Sequence, residues 1–325
     1  RPEHRSQEPI TPPPTPSSRP LTYADGNTIY YGNRTVEADR PVVELDVTDD
    51  GVAFRTNDGR LWFSDGTTTA ALGDVGETGP GYGQNAWPMM TRPGWMLSGN
   101  SGSRLVWFTF PAPGEPEVVV YDTKTQHEVA RDAVELQPGH TALPALVSER
   151  YVYWFQDADP EAMPGEQKHQ VRYDPATREQ SRVTEAELLD DLDTEAAVRS
   201  IRLKGDDRSE VGFHFSDGMG QQMDLGLEQE VAGVNGVAPV GPGDMKAEDV
   251  NRETFVFDPP PGYTHKAGVS WLVQWLDDHT VVVLSPMRDG TDLITCDLVT
   301  NSCRVAASAP AGIVAPDFGK APFIG

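Results

Sequence analysis

The residues whose type and spacing could do chemistry begin with two cysteines. Cys296 and Cys303 flank Asp297-Leu298-Val299-Thr300-Asn301-Ser302. That stretch reads as a hairpin with a loop from Leu298 to Asn301, in which Asn301 supplies the positive-φ position. Asp297 then faces Ser302, and one step outward Cys296 faces Cys303. Cα atoms directly opposite on antiparallel strands lie about 4.5–5.5 Å apart, a separation that a disulfide accepts. The alternatives are two buried free thiols, or a redox-active pair, which the lack of any nearby cation to lower a thiol pKa disfavours. A structural disulfide places the chain in an extracytoplasmic compartment.

The remaining residues carry little that reads as reactive chemistry. Gly268-Val269-Ser270-Trp271 lacks the second glycine of a nucleophile elbow, and Ser270 opens a strand. The histidines, His4, His127, His140, His169, His214, His265 and His279, stand singly with no His-x-x-x-His pair, so no metal site is expected. Asp191-x-Asp193-x-Glu195 has the first three ligand positions of a calcium loop. Ala196 replaces its turn glycine and Arg202 its bidentate glutamate, which leaves a solvated helix face. With no phosphate loop or dinucleotide fingerprint, no cofactor is expected.

What remains is loop surface. Gly76 to Gly94 contains Gly79-Pro80-Gly81-Tyr82-Gly83-Gln84-Asn85-Ala86-Trp87-Pro88, and Asn235 to Gly268 carries Phe255, Phe257, three prolines, Tyr263 and His265. Long connections on a rigid scaffold are where ligands bind. Tyr82, Trp87, Trp95, Tyr263 and His265 are the candidate contacts, with ring faces suited to sugar or peptide stacking. Trp87 and Trp95 also fit an inner strand of the core. Trp271 and Trp275, four apart on one strand, share a face and read as core.

The elements that must position these loops show in the repetition of Asp-x-x-Thr at Asp65–Thr68, Asp122–Thr125, Asp174–Thr177 and Asp297–Thr300. A degraded copy sits at Met223-Asp224-Leu225-Gly226-Leu227. Each aspartate follows an apolar run and can accept backbone N–H bonds from the residues after it, so a strand ends there and its antiparallel partner begins. Upstream of each lie two more strand-like runs. Units of four can be written from Val42 to Leu72, Trp87 to Asp132, Ala142 to Val183, Val198 to Val234 and Ser270 to Ala306. Thr28–Gly32 and Arg34–Ala38 are left as a hairpin without its first two strands.

Four-stranded sheets repeating about every 50 residues are the signature of an all-β fold, the β-propeller, whose blades bury their faces on their neighbours. The orphan hairpin fits a ring closed by N- and C-terminal segments, completing a blade begun by Gly312 to Ile324. Six blades account for the length best, seven are the runner-up, and five with an added hairpin come third. The Asp-x-x-Thr turns make residues 21 to 310 resemble the TolB-like and YVTN-type bacterial propellers. That resemblance implies a fold and almost nothing about function, because such repeats serve binding modules, enzymes and assembly factors alike. The chain departs from the pattern at Asp224, where the threonine is absent, and between Val234 and Val269, which is long for a blade connection.

Residues 1–20 hold Pro2, Pro9, Pro12, Pro13, Pro14, Pro16 and Pro20 and read as a semi-rigid disordered linker to a processed signal or an N-terminal membrane anchor. Residues 21–325 form the single propeller domain. One short helix is expected after the capping box Thr184-x-x-Glu187, with Leu188, Leu189 and Leu192 on one face. The balance of 50 Asp+Glu against 26 Lys+Arg, a net charge of -24, excludes a nucleic-acid partner that needs clustered cations. The expectation is a monomeric, noncatalytic module that binds a protein or carbohydrate. A propeller lyase or glycosidase, with carboxylates converging at the channel mouth, is the first alternative. A structural or assembly partner is the second.

Overall fold

A computed structural model describes residues 20–76, 97–99, 102–136, 141–147, 150–157, 168–183, 211–216, 222–228, 237–238, 253–257, 260, 271–276, 280–287, 290–297 and 299–316. Among them there are strands and turns and no helix.

The N-terminal sheet has three strands, β1 (Thr22–Asp25), β2 (Thr28–Tyr31) and β3 (Arg34–Glu37), in the order β1-β2-β3. Four sheets follow the four-strand pattern in chain order. They are β4 (Val42–Thr48), β5 (Gly51–Thr56), β6 (Arg60–Ser64) and β7 (Thr69–Asp74); β8 (Leu97–Gly99), β9 (Arg104–Ala112), β10 (Glu115–Asp122) and β11 (His127–Ala133); β12 (Thr141–Val147), β13 (Val152–Asp157), β14 (Lys168–Asp174) and β15 (Glu179–Val183). After a sheet of different order come β20 (Trp271–Trp275), β21 (Thr280–Met287), β22 (Gly290–Asp297) and β23 (Ser302–Ala309). The exception contains β16 (Val211–Ser216), β17 (Gln222–Glu228), β18 (Val237–Ala238) and β19 (Glu253–Phe257), ordered β18-β17-β16-β19.

The middle strands are apolar on both faces. Leu105-Val106-Trp107-Phe108 on β9 and Val118-Val119-Val120 on β10 are all buried, because a sheet stacked between two others has no solvated face. The last strands alternate out to water: on β11 only Ala130 is buried. One apolar cluster runs from Leu61 and Phe63 through Trp107 and Phe108 to Trp154 and Tyr173, so three consecutive sheets pack face to face. A second joins Ile29 and Val36 of the N-terminal sheet to Leu45 and Phe54. A third joins Leu284 and Leu293 of the last sheet to Ile313 and Ala315, with Leu21 and Tyr23 packed on it. The N-terminal sheet thus lies between the first and the last four-stranded sheets. Ala24 also exchanges two backbone hydrogen bonds with Val314, N–H to O distances of 2.8 and 3.0 Å.

Several expectations change. The N-terminal hairpin has a third strand, β1, made from Thr22-Tyr23-Ala24-Asp25 and turned by Gly26, whose φ is 59°. The strand before β9 is found at Leu97–Gly99, and the residues upstream of it, 77–96, lie outside those described. Asp224 starts no turn. It sits inside β17 opposite His214, with Leu225 bulged out, because without a threonine nothing else in the tetrad competes with strand pairing. Glu253–Phe257, expected within a long connection, is strand β19 and pairs with β16 in parallel. The expected inner strand Val198–Leu203, the capping-box helix and the calcium-like loop lie outside the described residues. So do residues 1–19 of the linker.

Candidate functional site

The turns that repeat in sequence close one end of the sheets. Asp65 Oδ1 accepts the backbone N–H of Thr67 and of Thr68, each at 2.7 Å. Asp122 accepts from Thr125 at 2.8 Å, and Asp297 from Val299 and Thr300 at 2.8 Å. Asp174 accepts from Ala176 at 2.8 Å and, more loosely, from Thr177 at 3.4 Å. The residue after the threonine takes the left-handed conformation in three of them, Gln126, Arg178 and Asn301 with φ of 57°, 62° and 54°. The Thr67 hydroxyl, followed by the two backbone N–H groups, holds the Asp65 carboxyl well below the usual carboxylate range. The cysteines follow the expected register. Cys296 pairs with Cys303 and Asp297 with Ser302, and the sulfurs are bonded, with Cα atoms 4.1 Å apart.

Strand alternation puts the remaining connections at the opposite end. In each sheet built in chain order, the first-to-second and third-to-fourth turns share one end, while the second-to-third turn and the exit share the other. Among the described residues of these four sheets, the first end carries tight turns at 49–50, 65–68, 123–126, 175–178 and 299–301. At the other end the chain leaves β7 through 75–96, leaves β15 through 184–210 and enters β20 from 258–270.

A depression of about 370 Å³ lies at this second end, lined by Asp39, Arg40, Thr56, Asp58, Arg60 and Trp62. Asp39 and Arg40 come from the link between β3 and β4. That link is pinned by Ala38 N–H to Asn27 O and by Asn57 N–H to Pro41 O, both at 2.9 Å. Thr56, Asp58 and Arg60 bracket the β5–β6 turn. The Thr56 hydroxyl donates to Asp58 Oδ1 at 2.7 Å, and this bond is the main reason that the Asp58 carboxyl stays below its ordinary pKa. Arg60 Nε lies 3.7 Å from Asp58, a loose surface pair. Trp62 is half-buried on the face of β6 that carries Arg60, packed against the cluster of the N-terminal sheet.

Tyr82, Trp87 and Trp95, and likewise Tyr263 and His265, lie outside the described residues. None of the depression residues was singled out in the sequence. Trp62 lies in the apolar run Leu61-Trp62-Phe63 that leads into the Asp65 turn, yet strand alternation separates it from Leu61 and Phe63, which face the next sheet. That alternation was the available signal. The juxtaposition of Asp39 and Arg40 with the β5–β6 turn depends on docking of the N-terminal sheet and leaves no trace in local sequence.

No protein-family model and no curated protein matches the chain. Its likeness is to solved β-propellers. TolB from Acinetobacter baumannii aligns with 92% of this chain and 67% of its own, at 10% identity and a TM-score of 0.42. The β-propeller domain of the Trilobed protease from Pyrococcus furiosus aligns with 91% of this chain and 83% of its own, at 9% identity and a TM-score of 0.36. The WD40 domain from Toxoplasma gondii coronin aligns with 86% and 48%, at 6% identity and a TM-score of 0.28. Similarity in this range says nothing about ligand or activity.

Proposed function

We propose that the chain is an extracytoplasmic, noncatalytic β-propeller of six blades that binds a protein or a cell-envelope glycan at one end of its sheets. Tyr82, Trp87, Trp95, Tyr263 and His265 make the contacts in this reading, from the connections 75–96 and 258–270. One observation carries it: in the sheets built in chain order, the strand ends that lead into 75–96, 184–210 and 258–270 share an end with the polar depression, whereas the described turns at their other end are tight. Sites built on loops of a rigid scaffold are the usual outcome of such an asymmetry. Six sheets among the described residues, one of them three-stranded, support six blades, and the Ala24–Val314 pair supports a ring closed by its two terminal segments. The disulfide supports the compartment.

Hydrogen exchange of the whole chain with and without isolated cell-wall material tests this. Protection is expected in peptides covering 77–96 and 258–270. Protection confined to the tight turns 65–68, 123–126 and 175–178 overturns the proposal.

A further inference from the structure

We infer that the depression over Trp62 is a subsite for a neutral sugar ring. The inference rests on the glycan arm of the proposed function and gives it a place and a ligand class.

The depression has the volume of a small-ligand site, about 370 Å³, where such sites span roughly 300–1,000 Å³. Its lining combines one indole, Trp62, with two acceptor-only groups, Asp39 and Asp58, and two donor-only groups, Arg40 and Arg60. A sugar hydroxyl both donates and accepts. Vicinal hydroxyls therefore satisfy a carboxylate and a guanidinium side by side, while the apolar face of the ring stacks on an indole. Asp58 is already engaged by Thr56 and loosely by Arg60. Among the described residues, Asp39 and Arg40 have no side-chain hydrogen bond or ion pair, so one acceptor and one donor stand ready together.

Charge selects against anionic ligands. Two arginines offset two aspartates in the depression, and the chain as a whole carries -24, which repels anions at a distance. A neutral polyhydroxylated ring does not meet that obstacle. A protein docking through apolar contacts is disfavoured, because the large hydrophobic side chains exposed among the described residues are Val129, Val299 and Val305. They lie on β11, in the 298–301 turn and on β23, none of them in the depression.

The test is saturation-transfer NMR and titration calorimetry of the whole chain with cellotriose, maltotriose and triacetylchitotriose, with trigalacturonate as the anionic control. At least one neutral trisaccharide should bind. Asp39→Asn and Arg40→Gln, both at exposed positions, should each weaken it about fivefold, and Trp62→Ala about tenfold. Because Trp62 also packs on the N-terminal sheet, the two exposed variants keep the test valid if Trp62→Ala unfolds. Binding by no neutral trisaccharide, tighter binding of trigalacturonate, or binding untouched by Asp39→Asn and Arg40→Gln each overturns the inference. If binding is instead lost in Trp87→Ala and kept in all three depression variants, the proposed face stands and this subsite falls.

Discussion

Tyr173 donates its hydroxyl hydrogen bond to Asp132 across the boundary between two sheets. Arg178 reaches the other carboxylate oxygen at 3.1 Å. Beside them Gln180 donates to Ala133 O at 2.7 Å and accepts from Glu135 N–H at 3.0 Å. The exposed last strand β11 is thereby sewn to β14 and β15 of the next sheet by side chains, where apolar packing has run out.

Alkaline pH should open this seam. Burial first, and then the Asp132 carboxylate, raise the Tyr173 hydroxyl above its ordinary pKa. A group whose folded pKa is raised contributes stability that is complete below the unfolded value, about 10, and is lost as pH rises through the folded value. The urea midpoint should fall above pH ~10, and Tyr173→Phe should flatten part of that fall. Tyr23 and Tyr121, also raised by burial, should contribute to it as well. At neutral pH Tyr173→Phe should cost about 1–2 kcal/mol. An unchanged alkaline profile in the variant would show that the bond does not form.

Glu44 and Arg55 form a buried ion pair at 2.8 Å between adjacent strands, with side chains 6% and 14% exposed. Removing one partner leaves the other charge buried without this ion pair. Arg55→Met should destabilise by about 3 kcal/mol or more, and Glu44→Leu with Arg55→Met by distinctly less. Denaturant unfolding of the single and double variants reads this directly, and equal losses would refute it.

The Cys296–Cys303 bond closes a short loop within one hairpin, seven residues apart in sequence. Loop-entropy arithmetic for so small a loop gives about 2 kcal/mol. The pair of substitutions to alanine should lower the thermal midpoint by roughly 3 °C. Reductant should do the same to the native chain and nothing to the variant.

Ala24 spends both its N–H and its C=O on Val314, so Ala24→Pro removes a bond to the C-terminal segment while leaving the β1–β2 ladder its own bonds. The amide of Val314 and the packing of Ile313 should become exchange-labile together with β1. A loss of about 3 kcal/mol is expected. Protection of Val314 that survived this substitution would mean that the two segments are held by packing alone.

What was legible in the sequence was local. The cysteine register, the turn aspartates and the left-handed Asn301 are fixed by residues within a few positions of one another, so composition alone exposes them. Sheets whose strands follow in chain order were equally readable, because each strand meets its neighbour through a tight turn. The parallel pairing of β19 with β16 joins segments some 40 residues apart and has no turn to announce it. Asp224 shows the limit of the repeat: half the motif was present, and the strand won. The depression was missed because Asp39 and Arg40 reach Trp62 only through the docking of a sheet.

The bond between Ala24 and Val314 also sets a timetable. During synthesis the first of these residues emerges long before the second, and until then the outward amide and carbonyl of β1 face water. An open strand margin of that kind recruits whatever extended peptide is near. A nascent chain that has made Ala24 but not yet Val314 therefore carries this open margin through all of the synthesis between them, and a holdase acting on it would have residues 22–25 to protect.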